Sequence, residues 1–236
     1  MSDLLAQFKN RLIISCQAPA TSPLHQPEII AAIAQACVNQ GAVGLRIDSP
    51  EHIRAVRAKL PDTPIIGLWK RTFPGSDVYI TPCLEDALAV VAAGADIVAI
   101  DATARPRPHG ETLTALIAGI QQKTGKLVMA DLDTSENAQL AAQAGADILG
   151  TTLYGYTGET QHLVPPGFDL LERLVQDFEL PIICEGGIHT PEMLQRAFQL
   201  GANSVVVGTA ITGVDLLAQK FCHASQAIAF PQNNQN

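Results

Sequence analysis

Gln17, Lys70, Asp131 and Glu185 each stand at the carboxyl end of a short apolar run. Each shares side-chain parity with the hydrophobic residues before it. Ile13 and Ser15 alternate with Gln17, Ile66 and Leu68 with Lys70, Met129 with Asp131, and Ile183 with Glu185. Side chains alternate along a strand, and alternate strands of an eight-stranded barrel fill one interior layer. If these runs are strands one, three, five and seven, the four polar groups crown a single layer. Strands three and seven lie opposite each other, so Lys70 and Glu185 face one another across whatever binds between them. An amine and a carboxylate so placed are equipped for proton transfer.

A charged residue ending an apolar strand ordinarily marks where the chain meets water. Four of matching parity on four alternate strands call for more than that. On the intervening strands, Arg46 either pairs with Asp48 or binds an anion, and Asp101 either pairs with Arg105 or caps a loop. Two glycine elements follow the seventh and eighth runs, Glu185-Gly186-Gly187-Ile188 and Val207-Gly208-Thr209. Barrel enzymes often hold phosphate on the loops after these two strands, where glycine lets backbone amides approach the anion. Gly186, Gly187, Gly208 and Thr209 are therefore candidate phosphate ligands.

The elements that must position these groups are marked by a repeat. Gly41-Ala42, Gly94-Ala95, Gly145-Ala146 and Gly201-Ala202 each end a helical pattern and feed an apolar strand. Their spacing of about fifty residues is too long for one βα unit and right for two. Eight strands are expected near Leu12–Gln17, Val43–Ile47, Ile65–Lys70, Asp96–Asp101, Leu127–Asp131, Asp147–Thr151, Pro181–Glu185 and Ser204–Gly208. The expected fold is a single-domain (β/α)₈ TIM barrel over residues 1–224, with a disordered Gln/Asn-rich tail over 225–236. Helix-to-strand turns are short, whereas the segments Arg71–Cys83, Ala102–Gly110 and Leu153–Pro166 are long. Long loops at the carboxyl ends of the strands are where barrel enzymes keep their active sites.

Composition narrows the class. The 236 residues are 47% hydrophobic and 16% charged, enough for a large core. A net charge of −8 argues against a nucleic-acid partner. The six histidines are scattered without ligand spacing, so no metal site is expected. Five cysteines, an odd number, and the lack of a signal-like or membrane-length apolar run lead us to expect a cytoplasmic protein that does not engage membranes. Cys16, Cys184 and Trp69 fall on the outward parity. Tyr154 and Tyr156 lie in a loop, where parity decides nothing.

Beyond these patterns the chain resembles a known family. The likeness rests on Ser15-Cys16-Gln17, Gly44-Leu45-Arg46, Gly67-Leu68-Trp69-Lys70-Arg71 and Val78-Tyr79-Ile80-Thr81-Pro82. It continues through Asp101-Ala102-Thr103, Arg107-Pro108, Met129-Ala130-Asp131, the segment Gly150–Thr157, and Glu185-Gly186-Gly187-Ile188. Over essentially its whole length short of the tail, the sequence resembles the N-acylglucosamine-6-phosphate 2-epimerases (N-acetylmannosamine-6-phosphate 2-epimerases) of the ribulose-phosphate-binding barrel superfamily. The resemblance implies that Lys70 and Glu185 do the proton work, with Gln17, Arg46 and Asp131 contacting a phosphorylated N-acetylhexosamine. It implies inversion at C2 without a metal, nicotinamide or pyridoxal cofactor. The chain departs from the family pattern at Asp133, where a small hydroxyl residue is common. It departs again at Gly213-Val214, where many relatives have Arg or Asn followed by Pro.

Two other readings compete. One is another phosphosugar epimerase or an aldolase on the same barrel, with Lys70 as a Schiff-base amine. The other is a non-catalytic phosphosugar-binding regulator, which would need the glycine elements but neither Lys70 nor Glu185. The apolar last helix, Val214–Phe221, is expected to contribute to a homodimer.

Overall fold

The computed structural model describes residues 3–226. Eight parallel strands close into a barrel in strict sequence order. They are β1 (Arg11–Cys16), β2 (Gly44–Asp48), β3 (Ile65–Leu68), β4 (Ile97–Asp101), β5 (Leu127–Asp131), β6 (Ile148–Gly150), β7 (Ile182–Glu185) and β8 (Ser204–Val207). A short helix α1 (Asp3–Phe8) precedes β1. The crossovers are α2 (Pro27–Asn39), α3 (Pro50–Lys59), α4 (Leu84–Ala92), α5 (Leu113–Thr124), α6 (Ser135–Gln143), α7 (Phe168–Asp177) and α8 (Pro191–Gln199). After β8 come α9 (Thr209–Thr212) and α10 (Val214–Gln226).

The alternation expected along the strands is what separates the two cores. Ile13, Ile66, Leu68, Ile97, Ala99, Met129, Ile148, Ile183 and Val206 point inward and fill the barrel. Phe8 closes its amino-terminal end, where β2 offers Gly44; a Cβ there would lie 2.7 Å from the Phe8 ring. Their sequence neighbours, such as Ile14, Cys16, Leu45, Ile47, Val98, Cys184 and Val205, point outward against Ile30, Ile53, Val90, Leu116 and Leu171 of the helices. Cys16 and Cys184 thus take the outward positions expected of them.

The helix boundaries obey local signals. The side chains of Ser49, Thr134 and Thr190 accept from the amides of His52, Asn137 and Met193 and so cap α3, α6 and α8. Gly41, Gly94, Gly145 and Gly201 all adopt positive φ, between 94° and 113°, the backbone geometry that the Gly-Ala repeat implies. At the carboxyl end, α10 continues through Ser225 and Gln226, two residues past the expected edge of the tail. The remainder of that tail, 227–236, lies outside the described residues. Unlike α2 to α8, α10 buries none of its residues and packs chiefly on α9. No described helix is long and apolar enough to cross a membrane.

Candidate active site

A cavity of about 650 Å³ opens at the carboxyl ends of the strands. Gln17, Lys70, Glu185, Arg46, Gly186, Gly187, Gly208 and Thr209 all line it. Asp131 is completely buried beneath them and meets the cavity through Arg46 and Thr152, which line it.

Arg46 is the hub. Its position on β2 is inward, in register with Ser15 of β1 and Ile66 of β3, which puts a 1% exposed guanidinium inside the barrel mouth. Nη2 and Nη1 grip the two oxygens of Asp131 at 2.6 and 3.2 Å, and Nε lies 3.1 Å from Glu185 Oε1. Burial alone would lower the proton affinity of this guanidinium, but Asp131 and Glu185 together hold it above its ordinary value. Glu185 is displaced the other way. Burial, helped by the negative charge of Asp131 and opposed by Arg46 and Lys70, pushes its carboxyl up to about 7. A carboxyl that titrates near neutral pH exchanges protons most effectively.

Lys70 stands at the opposite side of the mouth, just beyond β3. Its Nζ donates to Gln17 Oε1 at 2.5 Å, and Gln17 Nε2 donates to Ser15 Oγ at 2.9 Å. The backbone N–H of Lys70 donates to Asp48 Oδ1, 2.9 Å away. Neighbouring Arg71 turns outward instead, ion-paired to Asp86 at 2.6 Å and stacked on the Trp69 and Phe73 rings. The guanidinium beside Glu185 is therefore that of Arg46.

The glycine elements form the far wall. Gly186 and Gly187 both adopt positive φ, and a Cβ on Gly187 would sit 2.5 Å from Pro165, so no other residue fits this turn. Among the described residues, the amides of Gly186, Gly187 and Thr209 donate to no protein acceptor. The wall is completed by Gly213 and Asp215, with Ser22 Oγ donating to Asp215 Oδ2 at 2.7 Å. A Cβ on Gly213 would meet Thr209 at 2.8 Å, so this backbone excludes a longer residue there.

Two ambiguous residues take definite places. Arg46 binds carboxylates, but those of Asp131 and Glu185 rather than Asp48. Asp101 stays out of the cavity, buried against Arg105 at 2.5 Å and Thr103 at 2.7 Å. Asp133 also serves the scaffold: it accepts from Asn137 Nδ2 at 2.7 Å and Thr157 Oγ1 at 2.6 Å, pinning the loop after β6. In that loop Tyr154 packs on the outer core, whereas Tyr156 overhangs the cavity. Thr152, Asp48 and Tyr79 line the cavity as well. Asp48 was readable, since it continues the inward parity of Arg46. Thr152 and Tyr79 sit in loops, where periodicity carries no signal.

The family described as N-acetylmannosamine-6-phosphate epimerase matches residues 30–227. A relative in Synechococcus elongatus named N-acetylmannosamine-6-phosphate 2-epimerase is 60% identical, covering 94% of this chain and 97% of its own. One of the same name in Clostridioides difficile is 43% identical, covering 94% and 98%. The solved structure of the N-acetylmannosamine-6-phosphate 2-epimerase from Clostridium perfringens superposes with a TM-score of 0.90 at 38% identity, covering 94% of this chain and 96% of that one.

Proposed function

The chain belongs to the N-acetylmannosamine-6-phosphate epimerase family, and we propose that it inverts C2 of this sugar phosphate by proton transfer between Lys70 and Glu185. The reaction interconverts N-acetylmannosamine 6-phosphate and N-acetylglucosamine 6-phosphate. In the open-chain sugar, C2 lies beside the C1 aldehyde, so its proton can leave to give an enolate. A proton returned to the opposite face inverts the centre. The observation that carries this reading is the pairing of Lys70 and Glu185 on one cavity, with Glu185 poised near neutral pH.

In this reading Arg46 offers positive charge beside the reacting centre, where the enolate oxygen develops its charge. Gln17 holds the Lys70 amine, and Asp131 fixes Arg46. The unpartnered amides of Gly186, Gly187 and Thr209, with Gly208 giving clearance, receive the 6-phosphate and anchor the sugar away from the reacting carbon. None of these steps calls on a metal, a nicotinamide or a pyridoxal group.

Incubation with N-acetylmannosamine 6-phosphate in D₂O, followed by NMR, tests the reaction. N-acetylglucosamine 6-phosphate carrying deuterium at C2 is expected. Conversion without solvent deuterium would remove a freely exchanging C2 proton and favour a retro-aldol route. Trapping of the substrate on Lys70 by borohydride would mark a Schiff base instead.

The exposed apolar residues Ile211, Val214, Leu216 and Phe221 cluster on α9 and α10, and a helix with no buried face is suited to a second copy of the chain. A homodimer through α10 is the expected assembly. Light scattering should give twice the chain mass, and Phe221→Asp should shift it toward the monomer. A wild-type monomer at micromolar concentration would exclude the dimer. The free thiols of Cys16, Cys37, Cys83 and Cys184 are all buried, which suits a reducing compartment, and we place the enzyme in the cytoplasm.

A further inference from the structure

Arg46 serves two carboxylates, and one guanidinium cannot neutralise both. Two carboxyl groups beside one guanidinium resist simultaneous ionisation, which favours keeping a proton on one of them. Charge alone does not choose the carboxylate that keeps it. The contacts are unequal, however. Asp131 receives two donors from Arg46 and a third from Thr152, whose Oγ1 donates to Oδ1 at 2.6 Å. Glu185 receives only Nε of Arg46, at 3.1 Å, and its Oε2 lies 3.5 Å from the same Thr152 hydroxyl.

A threonine hydroxyl has one proton to give and lone pairs to receive. With its proton committed to Asp131 at 2.6 Å, Thr152 has none left for Glu185 Oε2, 3.5 Å away. We propose that Thr152 is the positioning residue that fixes the negative charge on Asp131 and leaves the exchangeable proton on Glu185. The inference rests on Glu185 being the proton carrier.

The surrounding chain is built to hold this hydroxyl. Gly150, inward on β6, clears the space: a Cβ there would be 2.5 Å from Met129 Cε, 3.3 Å from Thr152 Oγ1 and 3.5 Å from Asp131 Oδ1. The next residue, Thr151, faces outward and bonds both the backbone oxygen and the N–H of Glu185, at 2.9 and 3.1 Å. Two adjacent threonines thus hold Glu185, one by its backbone and one by its carboxyl. Among the described residues, the other charged or titratable groups around the carboxyl are Arg46 on β2, Asp131 on β5, Lys70 beyond β3, Tyr156 in the loop after β6, and the adjacent thiol of Cys184 on β7, with Tyr79 beside Asp131 and Arg46. Thr152 is the neutral group that touches both carboxylates.

Thr152→Val removes the hydroxyl at nearly constant shape, and Thr152→Ser keeps it. The turnover of both, measured across the range from about pH 5 to pH 9, separates proton placement from packing. In the valine variant the proton is shared between the carboxylates. Its kcat should fall on the order of tenfold, with KM within about twofold, because the group lost holds a proton rather than the substrate. The midpoint of its kcat–pH profile should move upward by about 0.3 pH unit, the statistical effect of giving one proton two equivalent homes. Thr152→Ser should restore both. An unmoved midpoint in Thr152→Val, or a serine variant as impaired as the valine one, overturns the inference. Wild-type turnover in Glu185→Gln would instead remove the proton carrier itself, and this inference with it.

Discussion

Arg46→Met should destabilise the protein by about 3–5 kcal/mol at pH 8, because it leaves two buried carboxylates without their shared cation. The methionine has room, since it is shorter than the arginine whose place it takes, and the guanidinium already reaches Met129 Sδ at 3.6 Å. The loss is therefore electrostatic rather than a failure of packing. It should shrink in acid, where Glu185 gains a proton as the pH falls through about 7. Urea denaturation at pH 8 and pH 5.5 reads this directly. Equal losses at the two pH values would mean that the charges are not the cause. A loss below about 1 kcal/mol would mean that the ion pairs contribute no more than surface ones do.

Lys70→Met and Glu185→Gln should each lower kcat by about 10²- to 10⁴-fold, the range of a positioned acid or base. Binding of the phosphosugar, read by calorimetry, should persist because the amides of Gly186, Gly187 and Thr209 are untouched. Near-normal kcat in either variant removes that residue from the proton path. Stability should separate the two. Glu185 ordinarily titrates near 4.5 and in the folded protein near 7. Below both values it is protonated folded or unfolded and costs nothing. Between them the unfolded chain releases its proton first, so stability falls as pH rises, and above pH 7 the whole cost of about 3 kcal/mol remains. Glu185→Gln removes that cost, so this inactive variant should melt above wild type at pH 8 and near it at pH 4.5. A lower melting point at pH 8 would show that the Arg46 contact outweighs burial.

The barrel is legible in the sequence because its signals are local and repeated. Gly-Ala pairs end helices, and β-branched runs fix which side chains turn inward. Parity alone brings Gln17, Lys70, Asp131 and Glu185 to one end. It does not say that Asp131 lies a layer deeper than Glu185, out of contact with the cavity, because that depth depends on the stagger of β5 against its neighbours. Nor does parity rank Arg46 above Asp101. Both are inward on even strands, but the ion pair to Arg105 draws Asp101 under the loop after β4, whereas Arg46 finds its partners across the barrel. Such partners are remote in sequence, so no window along the chain contains them. Thr152 escapes for a different reason: β6 is only three residues long, and the alternation ends before reaching it.

The seam between β1 and β8 ties the site to the order in which the chain is completed. Ser204 donates to the Arg11 oxygen, Thr212 to that of Ser15, and Ser22 to Asp215, contacts spanning 193 to 197 residues. Ring closures of that length come late in folding, after the local βα units have formed. Ser15, which supports Gln17 and hence Lys70, lies on β1, yet its backbone oxygen is held by Thr212, beyond β8. The amine half of the site and the wall beside Gly208 are therefore set in a single event, the closing of the ring. A chain interrupted before β8 can have helices and paired strands, and still lack the Gly208–Thr209 wall of the cavity.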